Sequence, residues 1–145
     1  MSAELIAAAR SASVHAYAPY SGFGVGAALL LADGSIITGT NFENASYGLS
    51  LCAETVALAS ANSAGRLADV RSVAVIGGRI IDGKISGSEP VRPCGRCRQM
   101  LNEAAQLAGH DFIVHCTSAD GSTVEQHKLS TLLPFAFGPD DLKLR

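Results

Sequence analysis

The stretch VGAALLLADGSIITG, residues 25–39, decides the architecture. Two apolar runs flank Asp33-Gly34, a dipeptide suited to tight turns, so the segment predicts a β-hairpin. The next segment is polar and irregular: NFENASYGLS, residues 41–50, reads as a loop feeding a helix, with Ser50 as its expected N-cap. That helix spans about residues 51–61, LCAETVALASA, and SVAVIGG at 72–78 then reads as a short buried strand. CGRCRQMLNEAAQLAG, residues 94–109, predicts a further helix closed by Gly109, and DFIVHCT at 111–117 a further strand. Upstream, SAELIAAARSASVHAY at 2–17 has apolar spacings of three and four and stops before Pro19, the pattern of an amphipathic helix. RIIDGKISGSEPVRP at 79–93 is expected to be hairpin-like or irregular, STVEQHKLS at 122–130 a weaker strand or a loop, and STLLP at 130–134 a short terminal helix before the tail FAFGPDDLKLR. Helices and strands alternate, so the class is α/β, with one mixed sheet flanked by helices in a single domain, 1–145.

The balance of residues narrows the function. At 145 residues the chain can bury one ordinary core, so one site is sought. With 48% apolar and 17% charged residues, the chain has more apolar surface than a small monomer readily hides, which points to a homo-oligomer. A net charge of −2 gives no electrostatic footprint for nucleic acid or an anionic membrane, and Arg92, Arg96 and Arg98 form only a local basic cluster. MSAELIAAAR carries Glu4 and lacks the apolar core of a secretory signal, and no stretch has the length of a membrane span. A cytoplasmic protein is expected. In a reducing compartment Cys52, Cys94, Cys97 and Cys116 read as metal ligands, redox groups or small core residues, not as a disulfide frame.

Two predicted helices begin with a cysteine, Cys52 and Cys94, and Cys97 follows one turn after the second. Residues three apart share a helix face, so Cys94 and Cys97 can aim both sulfurs at one ion. The positive end of a helix favours the thiolate, the form that binds metal. Three protein ligands leave a fourth position open, as catalytic zinc requires, and the buried acid Glu54 would then take up a proton from water there and pass it on. Three thiolates without a redox partner favour zinc over iron. The competing arrangement is a structural four-cysteine site completed by Cys116, although a cysteine in an apolar strand is usually a small hydrophobe. His15, His110, His115 and His127 lie outside these motifs and read as packing or surface residues.

C-x-E followed by P-C-x2-C, in this order and context, resembles the small homotetrameric zinc-dependent cytidine deaminases. The likeness extends along nearly the whole chain. APYSGFGVGAAL (18–29), NFENASYG (41–48), PCGRCRQ (93–99) and LLPFAFGPDDL (132–142) are each similar to that family's segments. The resemblance implies a three-layer α/β/α fold, one zinc per subunit on Cys52, Cys94 and Cys97, and hydrolytic deamination of cytidine and deoxycytidine with loss of ammonia. Glu54 would be the catalytic proton carrier. Backbone groups near Ala53 and from Pro93 to Cys94 would orient water and amine. Asn41 and Glu43 would bind the ribose, whose hydroxyls suit an amide and a carboxylate side by side. Phe23 would stack on the base, and Phe137 would reach in from a neighbouring subunit. Tyr47 matches an aromatic near the subunit contacts. Taken without the likeness, Asn41 would cap its own loop and both phenylalanines would be core.

One position departs from the family pattern. Many members carry Arg after C-A-E, donating to the zinc thiolates; here Thr55 stands there. Three thiolates leave a divalent ion with net negative charge and a less acidic water, so a nearby cation would help, and Arg96 is the expected substitute donor. Thr55 with PCGRCRQ is also similar to blasticidin S deaminases, which act on a nucleoside antibiotic; the N-F-E-N and A-P-Y-S-x-F stretches favour cytidine. Action on bases within RNA or DNA is disfavoured by the charge balance.

Overall fold

The computed structural model describes residues 2–143. The hairpin forms as β1 (Phe23–Leu31) and β2 (Ile36–Thr40), paired antiparallel around a turn in which Gly34 takes φ 88°. β3 (Val70–Ile81) pairs antiparallel with β1 and parallel with β5 (Ile113–Ser118), which in turn pairs antiparallel with β6 (Val124–Lys128). The order is β2-β1-β3-β5-β6, with β4 (Lys84–Ser86) folded back on β3, so the sheet is mixed as expected.

Side chains alternate across a strand, and the sheet uses both faces. Ala27, Leu29, Leu31, Val73, Val75, Val114 and Cys116 pack on one side against α2 (Ala53–Ser63) and α3 (Gly95–Ala108). Ala28, Ala74 and Ile76 pack on the other against Leu5 and Ala9 of α1 (Ser2–Ser13). Helices on both faces explain why the central strands read as nearly continuous apolar runs. Each fully buried Leu or Val contributes on the order of 1.5–3 kcal/mol, so this double-faced burial dominates what holds the layers together. Among the described residues no helix is long and apolar enough to cross a membrane.

Several boundaries differ from the sequence reading. α1 ends at Ser13, not near residue 17, because the Tyr17 backbone is recruited by the 41–43 loop: its N–H donates to the Asn41 carbonyl and its carbonyl accepts from Glu43 N–H. α2 begins at Ala53, since Leu51 is spent on a bridge with Phe42, N–H to carbonyl in both directions at 2.8 and 2.9 Å. Ser50 therefore does not cap α2; its Oγ accepts the Asn44 N–H, and Cys52 is the N-cap. Likewise Cys94 caps α3, which starts at Gly95 and is closed by Gly109 at φ 79°. The ambiguous 79–93 segment resolves into a hairpin, because Asp82 and Gly83 both take positive φ and so turn β3 into β4. α4 (Leu129–Leu132) fulfils the short terminal helix, and the tail adds one more turn, α5 (Pro139–Leu142), opened by Pro139.

Candidate functional site

The caps of α2 and α3 meet. Cys52 and Cys94 precede the first turns of two long helices with extended backbone (ψ 156° and 166°), which turns both side chains outward past the helix ends. Their sulfurs lie 3.7 Å apart, and the sulfurs of Cys52, Cys94 and Cys97 all fall within 4.8 Å of one another. Tetrahedral zinc with bonds of about 2.3 Å sets its sulfurs about 3.8 Å apart, so the Cys52–Cys94 pair already has that spacing and Cys97 lies close enough to join the same ion. Cys116 is not part of the trio; it sits opposite Val75 in the core, fully buried.

The electrostatics suit metal uptake. Cys52 is pushed down to about 6, chiefly by the hydrogen bond it receives from the Cys97 thiol, then by Cys94 and by the charge of Arg96, against the opposing effect of burial. Cys97, the donor in that bond, is pushed up. Beside them Glu54, 3% exposed on the first turn of α2, is raised to about 7, first by burial and then by the Cys52 charge. A buried carboxyl so placed can carry a proton near neutral pH.

A cleft of about 360 Å³ opens in front of this cluster. Cys52, Ala53, Glu54 and Cys94 form its floor, with Phe23, Asn41 and Glu43 among its walls. Asn41 and Glu43 are both held by the chain around them. Asn41 Oδ1 accepts from Val25 N–H at 3.0 Å and Nδ2 donates to the Phe23 carbonyl at 2.8 Å, clasping the start of β1. Glu43 Oε1 accepts from the N–H groups of Tyr20 and Ser21, and Oε2 from the Ser21 hydroxyl. Partial burial pushes the Glu43 carboxyl up, but these donors, led by the Ser21 hydroxyl, outweigh it and hold the group below its ordinary value. Both readings of Asn41 thus coexist, a loop clasp and a cleft wall. Phe137 does not line this cleft: the residue is 61% exposed, and its carbonyl accepts from Gln99 Nε2 and Asn102 Nδ2 of α3.

Some wall residues had no role in the sequence reading. Arg92, taken there as part of a local basic cluster, lines the cleft and is gripped by Glu125 at 2.9 and 2.7 Å, while His127 holds the same carboxylate. Ser21 and Val91 also face the cleft; only Ser21 had a signal, inside the A-P-Y-S motif. Arg98 braces the metal loop, donating from Nε to the Pro93 carbonyl at 2.7 Å and from Nη1 to that of Leu132 at 3.0 Å. Arg96 is exposed and, among the described residues, makes no hydrogen bond to a ligand sulfur; it acts on Cys52 through charge.

Comparison with known proteins converges on one family. The family described as "Cytidine and deoxycytidylate deaminase zinc-binding region" matches residues 2–109. The cytidine deaminase of Halalkalibacterium halodurans is 46% identical over 138 residues, covering 95% of each chain. That of Mycobacterium tuberculosis is 41% identical over 139 residues, covering 92% of this chain and 87% of the relative. A crystal structure of cytidine deaminase from Burkholderia pseudomallei superposes with a TM-score of 0.81 at 43% identity, over 94% of this chain and 99% of that one. The family match takes in both cysteine-capped helices, and the relatives align almost end to end: the chain belongs to the zinc-binding cytidine and deoxycytidylate deaminases.

Proposed function

We propose that the chain hydrolyses cytidine and deoxycytidine to uridine and deoxyuridine, releasing ammonia. The observation that carries this reading is three cysteine sulfurs gathered within 4.8 Å of one another beside a buried carboxyl, with Cys52, Cys94 and Glu54 on the floor of a cleft of about 360 Å³. Cys52, Cys94 and Cys97 would hold zinc, one per chain, and leave its fourth position facing the cleft. Zinc, when bound, makes a hydroxide nucleophile available near neutral pH by lowering the pKa of a coordinated water.

The chain's own groups do the rest. Glu54 accepts the proton given up by the attacking water and delivers it to N3 of the base, which makes C4 more electrophilic. As the C4–N bond breaks, Glu54 takes the remaining proton from the hydroxyl added at C4 and passes it to the departing amine, so that ammonia leaves and the carbonyl of uridine forms. Phe23 stacks on the base, and Asn41 and Glu43 address the ribose with the amide hydrogen and the carboxylate lone pairs that the local clasp leaves free. Backbone groups at Ala53 and from Pro93 to Cys94 orient the amine and water.

The working unit in this reading is the whole chain, 1–145, as one deaminase domain in a homotetramer with its sites at subunit interfaces. Phe137 would serve a neighbour's cleft, and its exposure away from its own chain's cleft supports that role. Exposed Tyr17, Tyr20, Phe42 and Tyr47 supply apolar surface for such contacts. Three ligand thiols suit the reducing cytoplasm, where the reaction would serve pyrimidine salvage. No nucleic acid or membrane partner is implied.

The test is ammonia release by the purified protein with cytidine, deoxycytidine, cytosine and blasticidin S side by side, and Glu54→Gln as the blank. Turnover of the two nucleosides, lost in the Gln variant, is the expected result. Turnover of blasticidin S alone would reassign the substrate, and silence on all four would overturn the reading.

A further inference from the structure

Thr55 occupies the first turn of α2 and is buried, and among the described residues its hydroxyl makes no hydrogen bond to backbone. The carbonyl one turn earlier, that of Leu51, is taken by the Phe42 N–H at 2.9 Å. A helical threonine usually bonds back to such a carbonyl. Instead, Thr55 Oγ1 lies 3.5 Å from Cys97 Sγ, across the contact between α2 and α3. Cys97 is fully buried, so water cannot serve that sulfur in place of the hydroxyl.

We infer that Thr55 is a positioning residue for the metal centre: its hydroxyl donates to the Cys97 sulfur and sets how much electron density that ligand gives the metal. This rests on the three-cysteine zinc reading. A metal-bound thiolate has no proton of its own, so in the loaded protein the hydroxyl must be the donor. A hydrogen bond to a ligand draws electron density back from the metal, which opposes the excess negative charge of three thiolates. Thr55 supplies by a buried, neutral, fixed contact what the exposed Arg96 can supply only by solvent-screened charge. The β-branched side chain holds the hydroxyl in few rotamers, so the contact costs little further entropy.

The test replaces zinc by cobalt(II) in the whole protein and reads the sulfur-to-cobalt charge-transfer bands without substrate. Thr55→Val keeps the shape and removes the donor; Thr55→Ser keeps the donor and removes only the methyl. Thr55→Ala is a second donor-free variant in case Val does not fold. The expected result is a shift of the bands to lower energy in Val and Ala, wild-type bands in Ser, and kcat for cytidine about 10-fold lower in the donor-free variants with KM little changed. Unshifted bands in both Val and Ala would overturn the inference, as would an equal shift in Ser or a shift in Arg96→Ala alone. Because no nucleoside is present during the spectra, a protein inactive on cytidine but with these shifts would fail the function reading and keep this one. Absence of any sulfur-to-cobalt band would remove the metal reading itself.

Discussion

Gly39→Ala should damage the site from behind. Gly39 lies on β2 where the strand passes under the first turns of α2; a Cβ there would fall 2.5 Å from Ala57 N, 2.6 Å from Ala53 O and 3.1 Å from Ala57 Cα. All three are backbone atoms, so no side chain can rotate away. Relief to ordinary contact near 3.4 Å requires α2 to retreat by about 1 Å at its N-terminal end, which is where Cys52, Ala53 and Glu54 sit. Overpacking of this kind costs about 1–3 kcal/mol, roughly a 5- to 150-fold loss in the folding equilibrium. A displacement of about 1 Å in catalytic groups can cost on the order of 100-fold in rate. Gly48→Ala is the control, since a Cβ there meets nothing within 4 Å, and its effect should stay within about 0.5 kcal/mol. Urea unfolding and ammonia release from cytidine, with zinc content measured for each protein, give both readouts. Gly39→Ala matching Gly48→Ala in stability and rate would refute the claim that β2 fixes α2 at the site.

Three further outcomes are expected. Asn41→Ala removes two side-chain bonds to the β1 backbone, so it should cost about 1–3 kcal/mol in urea unfolding and raise KM for cytidine; if neither moves, the clasp is not as described. Cys116→Ala should leave zinc per chain unchanged and cost about 1 kcal/mol of stability, whereas loss of zinc would make Cys116 a ligand. Asp33, in the β1–β2 turn, is lowered from 3.8 to about 2 by the Ser35 hydroxyl, the Ser35 N–H and Arg66. Its folded value lies below the unfolded one, so the carboxylate stabilises above 3.8 and that contribution fades as pH falls toward about 2. Wild type should therefore exceed Asp33→Asn in stability at pH 6, with the gap closing across that window; a gap independent of pH would contradict the assignment.

The alternation of apolar runs made the sheet and its two covering layers legible, because burial on both faces leaves its mark directly in the strands. The Asp33-Gly34 turn is visible as turn chemistry with its strands attached, whereas the 79–93 segment that holds Asp82-Gly83 reads from sequence only as hairpin-like or irregular. The end of α1 and the start of α2 differ from the sequence pattern for one reason. Leu51 and Tyr17 look helical by spacing, but each gives its backbone to Phe42 or the 41–43 loop, a long-range competition that local pattern cannot register. The metal trio was legible because cysteine at a helix start is chemically odd in an apolar segment. Arg92 was not, since its place on the cleft wall is set by Glu125, 33 residues away. Nor was the Thr55 contact with Cys97, which exists only once α2 and α3 pack.

X-ray absorption at the zinc edge, on protein purified with its metal, tests the central claim most directly. An open three-cysteine centre predicts one zinc per chain with three sulfurs at about 2.3 Å and one lighter oxygen or nitrogen neighbour. Four sulfurs around the ion, or a folded protein that takes up no zinc, would contradict it.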